Sequence, residues 1–207
     1  MPIRRFPIVC CLFLLGLALL APAAQAVGTI LVFGDSLSAG YGLRREAAWP
    51  ALLVQRLQDK KLDYSVVNAS ISGETTSGGR ARIDAALARH SPQIVIIALG
   101  SNDGLRGLPI ATLRDNLAAI AGSAQKNKAQ VLIIGQRLPP NYGSYAIQFR
   151  NVFGEVAKTQ KTALVDFLLD GVATHPELFQ ADNLHPTAEA QPRLLDNVWR
   201  GLAPLLK

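Results

Sequence analysis

The stretch TILVFGDSLSAG, residues 29–40, sets the architecture. Its first five residues are apolar or β-branched and do not alternate with charged ones. That is the pattern of a short strand covered on both faces. Glycine, aspartate and serine follow at once, so the strand runs into a polar turn. Either Ser36 simply opens a short helix there, or its hydroxyl performs chemistry.

The same strand pattern recurs in YSVVN (64–68), QIVIIALG (93–100), QVLIIG (130–135) and TALVDF (162–167). Helical patterns stand between and after these runs: WPALLVQRLQDKK (49–61), GRARIDAALARH (79–90), PIATLRDNLAAIAGSAQKNK (109–128), YAIQFRNVFGEVAKTQ (145–160) and TAEAQPRLLDNVWRGLAPLL (187–206). Pro50 falls in a first turn, where its missing N–H costs nothing, and Pro192 is expected to kink or restart the last helix. The alternation of strand and helix predicts an α/β fold of three layers, α/β/α, with a flavodoxin-like, doubly wound parallel sheet of five strands.

The first 26 residues are set apart by composition. MPIRR is basic, IVCCLFLLGLALLAPAA is apolar, and AQA at 24–26 has the small-x-small form of a signal-peptidase site. Pro22 and Gln25 interrupt the apolar run and argue against a membrane anchor. Residues 1–26 are therefore expected to be a cleaved signal peptide and residues 27–207 one domain, periplasmic or secreted. Cys10 and Cys11 are the only cysteines, and both precede the cleavage point. The remaining chain can form neither a disulfide nor a thiolate metal site. Net charge is +6, with Arg4 and Arg5 contributing two of it. The other basic residues are scattered, without a run of five and without interleaved aromatics, which argues against nucleic-acid binding. Weak contact with an anionic membrane surface is compatible with this charge.

In a doubly wound sheet, ligands bind beyond the carboxyl ends of the strands. The segments expected there are GDSLSAG (34–40), ASISGETT (69–76), GSNDG (100–104), QRLPPNYG (136–143) and, after the fifth strand, DNLHP (182–186). A nucleophilic serine needs a base, and the base needs an orienting acid. Of the three histidines, His90 ends a helical pattern, where it suits the negative end of the dipole. His175 lies in a loop before Pro176. His185 follows Asp182 by three residues, so one turn can bring carboxylate and imidazole together. The same spacing also suits an N-cap before the last helix. Three donors are candidates for a developing oxyanion: the Ser36 N–H, the Gly73 N–H and the Asn102 side-chain amide. Each also has a plain structural use, as a turn or a cap. Asp35 and Ser38 read as turn and helix-start residues. No G-x-S-x-G is present, which argues against an α/β-hydrolase elbow.

FGDSLSAGYG, VVNASISGETT, LGSNDGLRG and ADNLHP, in this order, resemble the four sequence blocks of the GDSL, or SGNH, hydrolases. The resemblance extends over nearly all of residues 27–207. It implies the SGNH hydrolase fold and a serine esterase acting on acyl esters and thioesters, with arylesterase, acyl-CoA thioesterase and lysophospholipase activities, and needing no cofactor or metal. It further implies a catalytic triad of Ser36, His185 and Asp182, with an oxyanion hole of Ser36, Gly73 and Asn102. Two positions depart from the family pattern. Ser101 replaces a usual glycine and is expected to narrow the acyl entrance. Asn183 also stands where glycine is common, and asparagine tolerates left-handed backbone better than most residues.

The resemblance also implies an acyl groove, with Leu105, Leu108, Leu138, Pro139 and Tyr142 as candidate lining residues; the same residues could instead cover the core. Outside the cytosol, lysophospholipids and other single-chain esters are the expected small-molecule substrates, handled by a monomer. Two other readings remain open on the sequence: a carbohydrate acetylesterase on the same scaffold, and a non-enzymatic flavodoxin-like binding protein that uses SGETTSGG for a phosphate-bearing ligand.

Overall fold

The computed structural model describes residues 28–206. The expected signal peptide lies outside the described residues. Five parallel strands form one sheet: β1 (Gly28–Gly34), β2 (Tyr64–Asn68), β3 (Ile94–Ala98), β4 (Gln130–Ile134) and β5 (Ala163–Val165), in the spatial order β2-β1-β3-β4-β5. That is the order of a flavodoxin-like doubly wound sheet.

Alternate side chains of each strand point to opposite faces, and here both faces are covered. On one face Leu31, Phe33, Val95, Ile97, Val131 and Ile133 pack with residues of α3 (Thr76–His90), α5 (Ile110–Lys126) and α6 (Ser144–Gln160). On the other, Ile30, Val32, Ile94, Ile96, Leu132 and Ile134 pack with α2 (Trp49–Asp59) and α7 (Gln191–Leu202). This double burial explains why the strand sequences are almost continuously apolar. Two short helices, α1 (Ser36–Ala39) and α4 (Ser101–Leu105), sit directly after β1 and β3.

Two helix boundaries differ from the sequence expectation. The third helix starts at Thr76 rather than Gly79, because the Thr75 hydroxyl accepts the Gly78 N–H at 3.4 Å and caps the helix earlier. A Cβ on Gly79 would lie 2.5 Å from Leu99, so the helix needs glycine there to approach the sheet. The last helix begins at Gln191 with Pro192 in its first turn, so the proline starts the helix instead of kinking it.

The sheet order reverses direction between β1 and β3. Their carboxyl ends, carrying Ser36 and Asn102, flank the crevice that such a switch point opens. Topology alone thus brings together residues far apart in sequence.

Candidate active site

Asp35 shapes the turn that presents Ser36. It has extended backbone, and its side chain accepts the Leu37 N–H at 3.0 Å, which makes it the N-cap of α1. Ser36 is the first helical residue, so its own N–H has no acceptor within the helix. Capping is therefore the task of Asp35 and leaves the Ser36 hydroxyl free for another partner.

That partner is His185, whose Nε2 lies 2.9 Å from Ser36 Oγ, and whose Nδ1 lies 2.7 Å from Asp182 Oδ2. The other Asp182 oxygen accepts the backbone N–H of Leu184 at 2.9 Å and of His185 at 3.0 Å. These bonds, the His185 backbone N–H foremost and its ring next, hold the Asp182 carboxyl down at about 2. An ionised carboxylate only accepts, so the Asp182 pairing puts the imidazole proton on Nδ1 and leaves Nε2 to accept from Ser36. The turn closes because Asn183 adopts left-handed backbone, φ 55°, as its departure from glycine requires. The ring of Tyr41 lies over His185 with centroids 4.4 Å apart. The other histidines have no part in this line: His175 pairs with Glu177 at 3.0 Å, and His90 ends α3.

Ser36, Gly73 and Asn102, the residues of the three candidate oxyanion donors, line one cavity with His185. Gly73 has φ 80°, and a Cβ there would meet no atom within 4 Å, so backbone conformation rather than crowding calls for glycine. One hydrogen of the Asn102 amide bonds the Glu74 carbonyl at 3.0 Å, which orients the amide and leaves its second hydrogen available. The neighbouring Asp103, buried, accepts from both the backbone N–H and the hydroxyl of Thr76. Asn102 and Asp103 thus bind α4 to the loop that carries Gly73 and to the start of α3. Arg106 donates to the Gly73 carbonyl at 3.0 Å, and Arg82 forms an ion pair with Glu74, which fix that loop further.

The cavity has a volume of about 870 Å³. Leu105, Leu138 and Pro139 line it, but Leu108 and Tyr142 are not among its lining residues. They brace the loops instead: the Tyr142 hydroxyl donates to the Leu105 carbonyl at 3.4 Å, and the Leu108 carbonyl accepts from Tyr145 at 2.6 Å. Much of the apolar wall comes from the connection after β5, through Phe167, Leu169, Ala173, Pro176 and Phe179. None of these residues stood out in the sequence. The available signal was the length of that connection, since long irregular segments in compact domains are usually functional.

Ser101 lines the cavity, yet its hydroxyl is buried beside Asp35 rather than projecting as a barrier. Asp35 is fully buried and its second oxygen has no well-directed hydrogen bond. Burial raises its carboxyl from 3.8 to about 6; the Leu37 N–H, the Ser101 hydroxyl and His185 moderate the rise, while the charge of Asp103 adds to it. Ionised Asp35 therefore costs the fold about 3 kcal/mol. Below pH 3.8 both folded and unfolded forms are protonated and the cost vanishes; above about 6 both are ionised and it is complete. Because of this group, stability falls as pH rises through that window. Asp35→Asn keeps the cap oxygen and removes the charge. It is expected to be more stable than the parent by about 1–3 kcal/mol at pH 7.5, with the gap closing near pH 4. Urea unfolding at both pH values checks this, and a gap that does not change with pH would refute it.

Comparison with known proteins shows the family of the chain. The model of the GDSL-like Lipase/Acylhydrolase family matches residues 32–192. Esterase TesA of Pseudomonas aeruginosa is 53% identical over 193 residues, covering 93% of this chain and 96% of that protein. Thioesterase 1/protease 1/lysophospholipase L1 of Escherichia coli K12 is 42% identical over 191 residues, covering 92% and 90%. The crystal structure of the psychrotrophic esterase EstA from Pseudoalteromonas sp., inhibited by monoethylphosphonate, superposes with a TM-score of 0.82 at 37% identity, over 86% of this chain and 97% of that one. With a family match over most of its length and relatives aligned nearly end to end, the chain belongs to the GDSL-like lipase/acylhydrolase family and is a hydrolase acting on esters.

Proposed function

We propose that the chain is a serine acyl hydrolase for single-chain acyl esters and thioesters, lysophospholipids included, working in the periplasm or outside the cell after loss of residues 1–26. The observation that carries this reading is the hydrogen-bonded line Ser36–His185–Asp182 opening on a large, mainly apolar cavity. His185 Nε2 takes the Ser36 proton as Oγ attacks the acyl carbonyl. Asp182 holds the imidazole and offsets the charge it acquires. The Ser36 and Gly73 N–H groups and the free hydrogen of the Asn102 amide stabilise the oxyanion. His185 then protonates the departing alcohol or thiol, and water repeats the sequence on the acyl-enzyme.

The cavity supports acyl chains over acetate. Its volume lies in the upper part of the range of small-molecule sites, and its walls are mainly leucine, proline and phenylalanine, with Gln136, Arg137, Thr174 and Asn183 among the polar lining residues. The predominance of apolar wall supports an acyl chain over a sugar ring. Signal-peptide cleavage after Ala26 would separate the enzyme from cytosolic acyl-CoA, which makes thioester cleavage a competence of the site and lipid-derived esters its substrates. Among the described residues, no helix is long and apolar enough to cross a membrane.

The test is hydrolysis of a series of p-nitrophenyl esters from acetate to palmitate. Turnover relative to KM is expected to rise from acetate to medium or long chains. Activity confined to acetate would move the assignment to an acetylesterase, and absence of cleavage by the folded protein would remove it.

A further inference from the structure

We propose that Gln180 is a positioning residue that holds His185 against Ser36; the inference rests on the triad reading above. Gln180 precedes the turn that carries Asp182 and His185, and its main chain closes that turn. Its N–H donates to the His185 carbonyl at 2.8 Å, and its carbonyl accepts the Asn183 N–H at 2.9 Å. Those bonds would survive any side-chain replacement.

The side chain makes a different connection. Its amide nitrogen donates to the Tyr41 carbonyl at 2.8 Å and to the Pro186 carbonyl at 3.1 Å. Both hydrogens are thereby engaged. Pro186 immediately follows the base. Tyr41 belongs to the nucleophile's turn: its N–H donates to the Ser36 carbonyl at 3.2 Å, and its ring lies over His185. A single amide thus joins the backbone on the nucleophile's side to the backbone on the base's side, across 139 positions of sequence. The turn at Gly42 is shaped around it. A Cβ at Gly42, where φ is 72°, would fall 2.1 Å from the Gln180 carbonyl oxygen.

The contact from Ser36 to His185 joins two loops, and displacement by an ångström in such a pair costs catalysis about 100-fold. Removal of the amide is therefore expected to act on turnover and to leave substrate binding largely intact. Gln180→Glu is nearly isosteric but presents only acceptors to two carbonyl oxygens. Gln180→Lys restores donors without an acceptor.

The experiment measures kcat and KM on p-nitrophenyl butyrate for the Ala, Glu and Lys variants, for His185→Ala, and for the Gln180→Ala, His185→Ala double variant, with thermal midpoints alongside. Gln180→Ala and Gln180→Glu are expected to lower kcat by about 10–100-fold, with KM changed by no more than about threefold. Gln180→Lys should recover at least fivefold over Gln180→Glu. The double variant should be no slower than His185→Ala, since a group that acts through the base has no effect once the base is gone. If Gln180→Ala does not fold, comparison of the Glu and Lys variants decides the matter. The inference is overturned if Gln180→Ala and Gln180→Glu stay within twofold of the parent while His185→Ala is inactive. It is equally overturned if the Gln180→Ala loss persists undiminished in the His185→Ala background. Full activity in His185→Ala would remove the triad reading itself, and this inference with it.

Discussion

Ser36→Ala is expected to reduce ester turnover by about 10⁶-fold, the scale seen when a serine hydrolase loses its nucleophile. The fold should be unaffected, because the hydroxyl contributes nothing to the helix start: Asp35 supplies the cap, and the Ser36 backbone conformation suits alanine. What disappears is the oxygen 2.9 Å from His185 Nε2, and with it the acyl-enzyme route. Any residual rate would come from oxyanion donors and bound water. A fluorophosphonate probe should add one adduct to the parent protein and none to the variant, as read by intact mass. Labelling of Ser36→Ala, or a loss of less than tenfold, would assign the nucleophile elsewhere.

Asp182→Asn is expected to lower kcat by about 10⁴-fold while the turn persists. The asparagine oxygen can still accept the Leu184 and His185 backbone N–H groups. Its NH₂ group, however, would face His185 Nδ1 where the carboxylate now accepts at 2.7 Å. The imidazole would then carry its proton on Nε2, pointing at Ser36, and could not act as base. Steady-state kinetics beside a thermal unfolding curve separates this from misfolding; a loss under tenfold with the structure retained would reject Asp182 as the orienting acid. The carboxylate's low pKa, about 2, has a second consequence. Asp182 remains ionised throughout the range in which the enzyme is assayed, so its protonation does not shape the acid side of the activity profile. Its contribution to stability is present above pH 3.8 and is lost only as pH falls toward 2.

The remainder of the site is held by polar groups that were individually ambiguous. Asn102 and Asp103 look like cap residues in a line of sequence, but neither caps α4, whose N-cap is Gly100. They reach sideways to Glu74, on the loop from β2, and to Thr76, the first residue of α3. The same two side chains therefore present a donor to the cavity and fix the loop bearing another. Ser101 departs from the family pattern without obstructing the cavity, because its hydroxyl turns toward buried Asp35.

The sequence by itself determined the five strands and their parallel arrangement, because a strand buried on both faces must be apolar throughout; the proposed triad rested on the resemblance to the GDSL hydrolases. Asp182 needs only one turn to reach His185, whereas Ser36 lies 149 positions from it and meets it only in the fold. Helix starts were less legible, as at Thr76, because the Thr75 hydroxyl caps the helix three residues before the periodic pattern begins. Only the tertiary structure decided which apolar residues line the cavity, exchanging Leu108 and Tyr142 for Phe167, Leu169 and Phe179. It alone decided that Gln180 reaches Tyr41 and that Ser101 turns inward. The physical reason is common to these cases. A loop residue's partners are set by how neighbouring strand ends converge in space, and neither periodicity nor local propensity encodes contacts across a hundred or more residues.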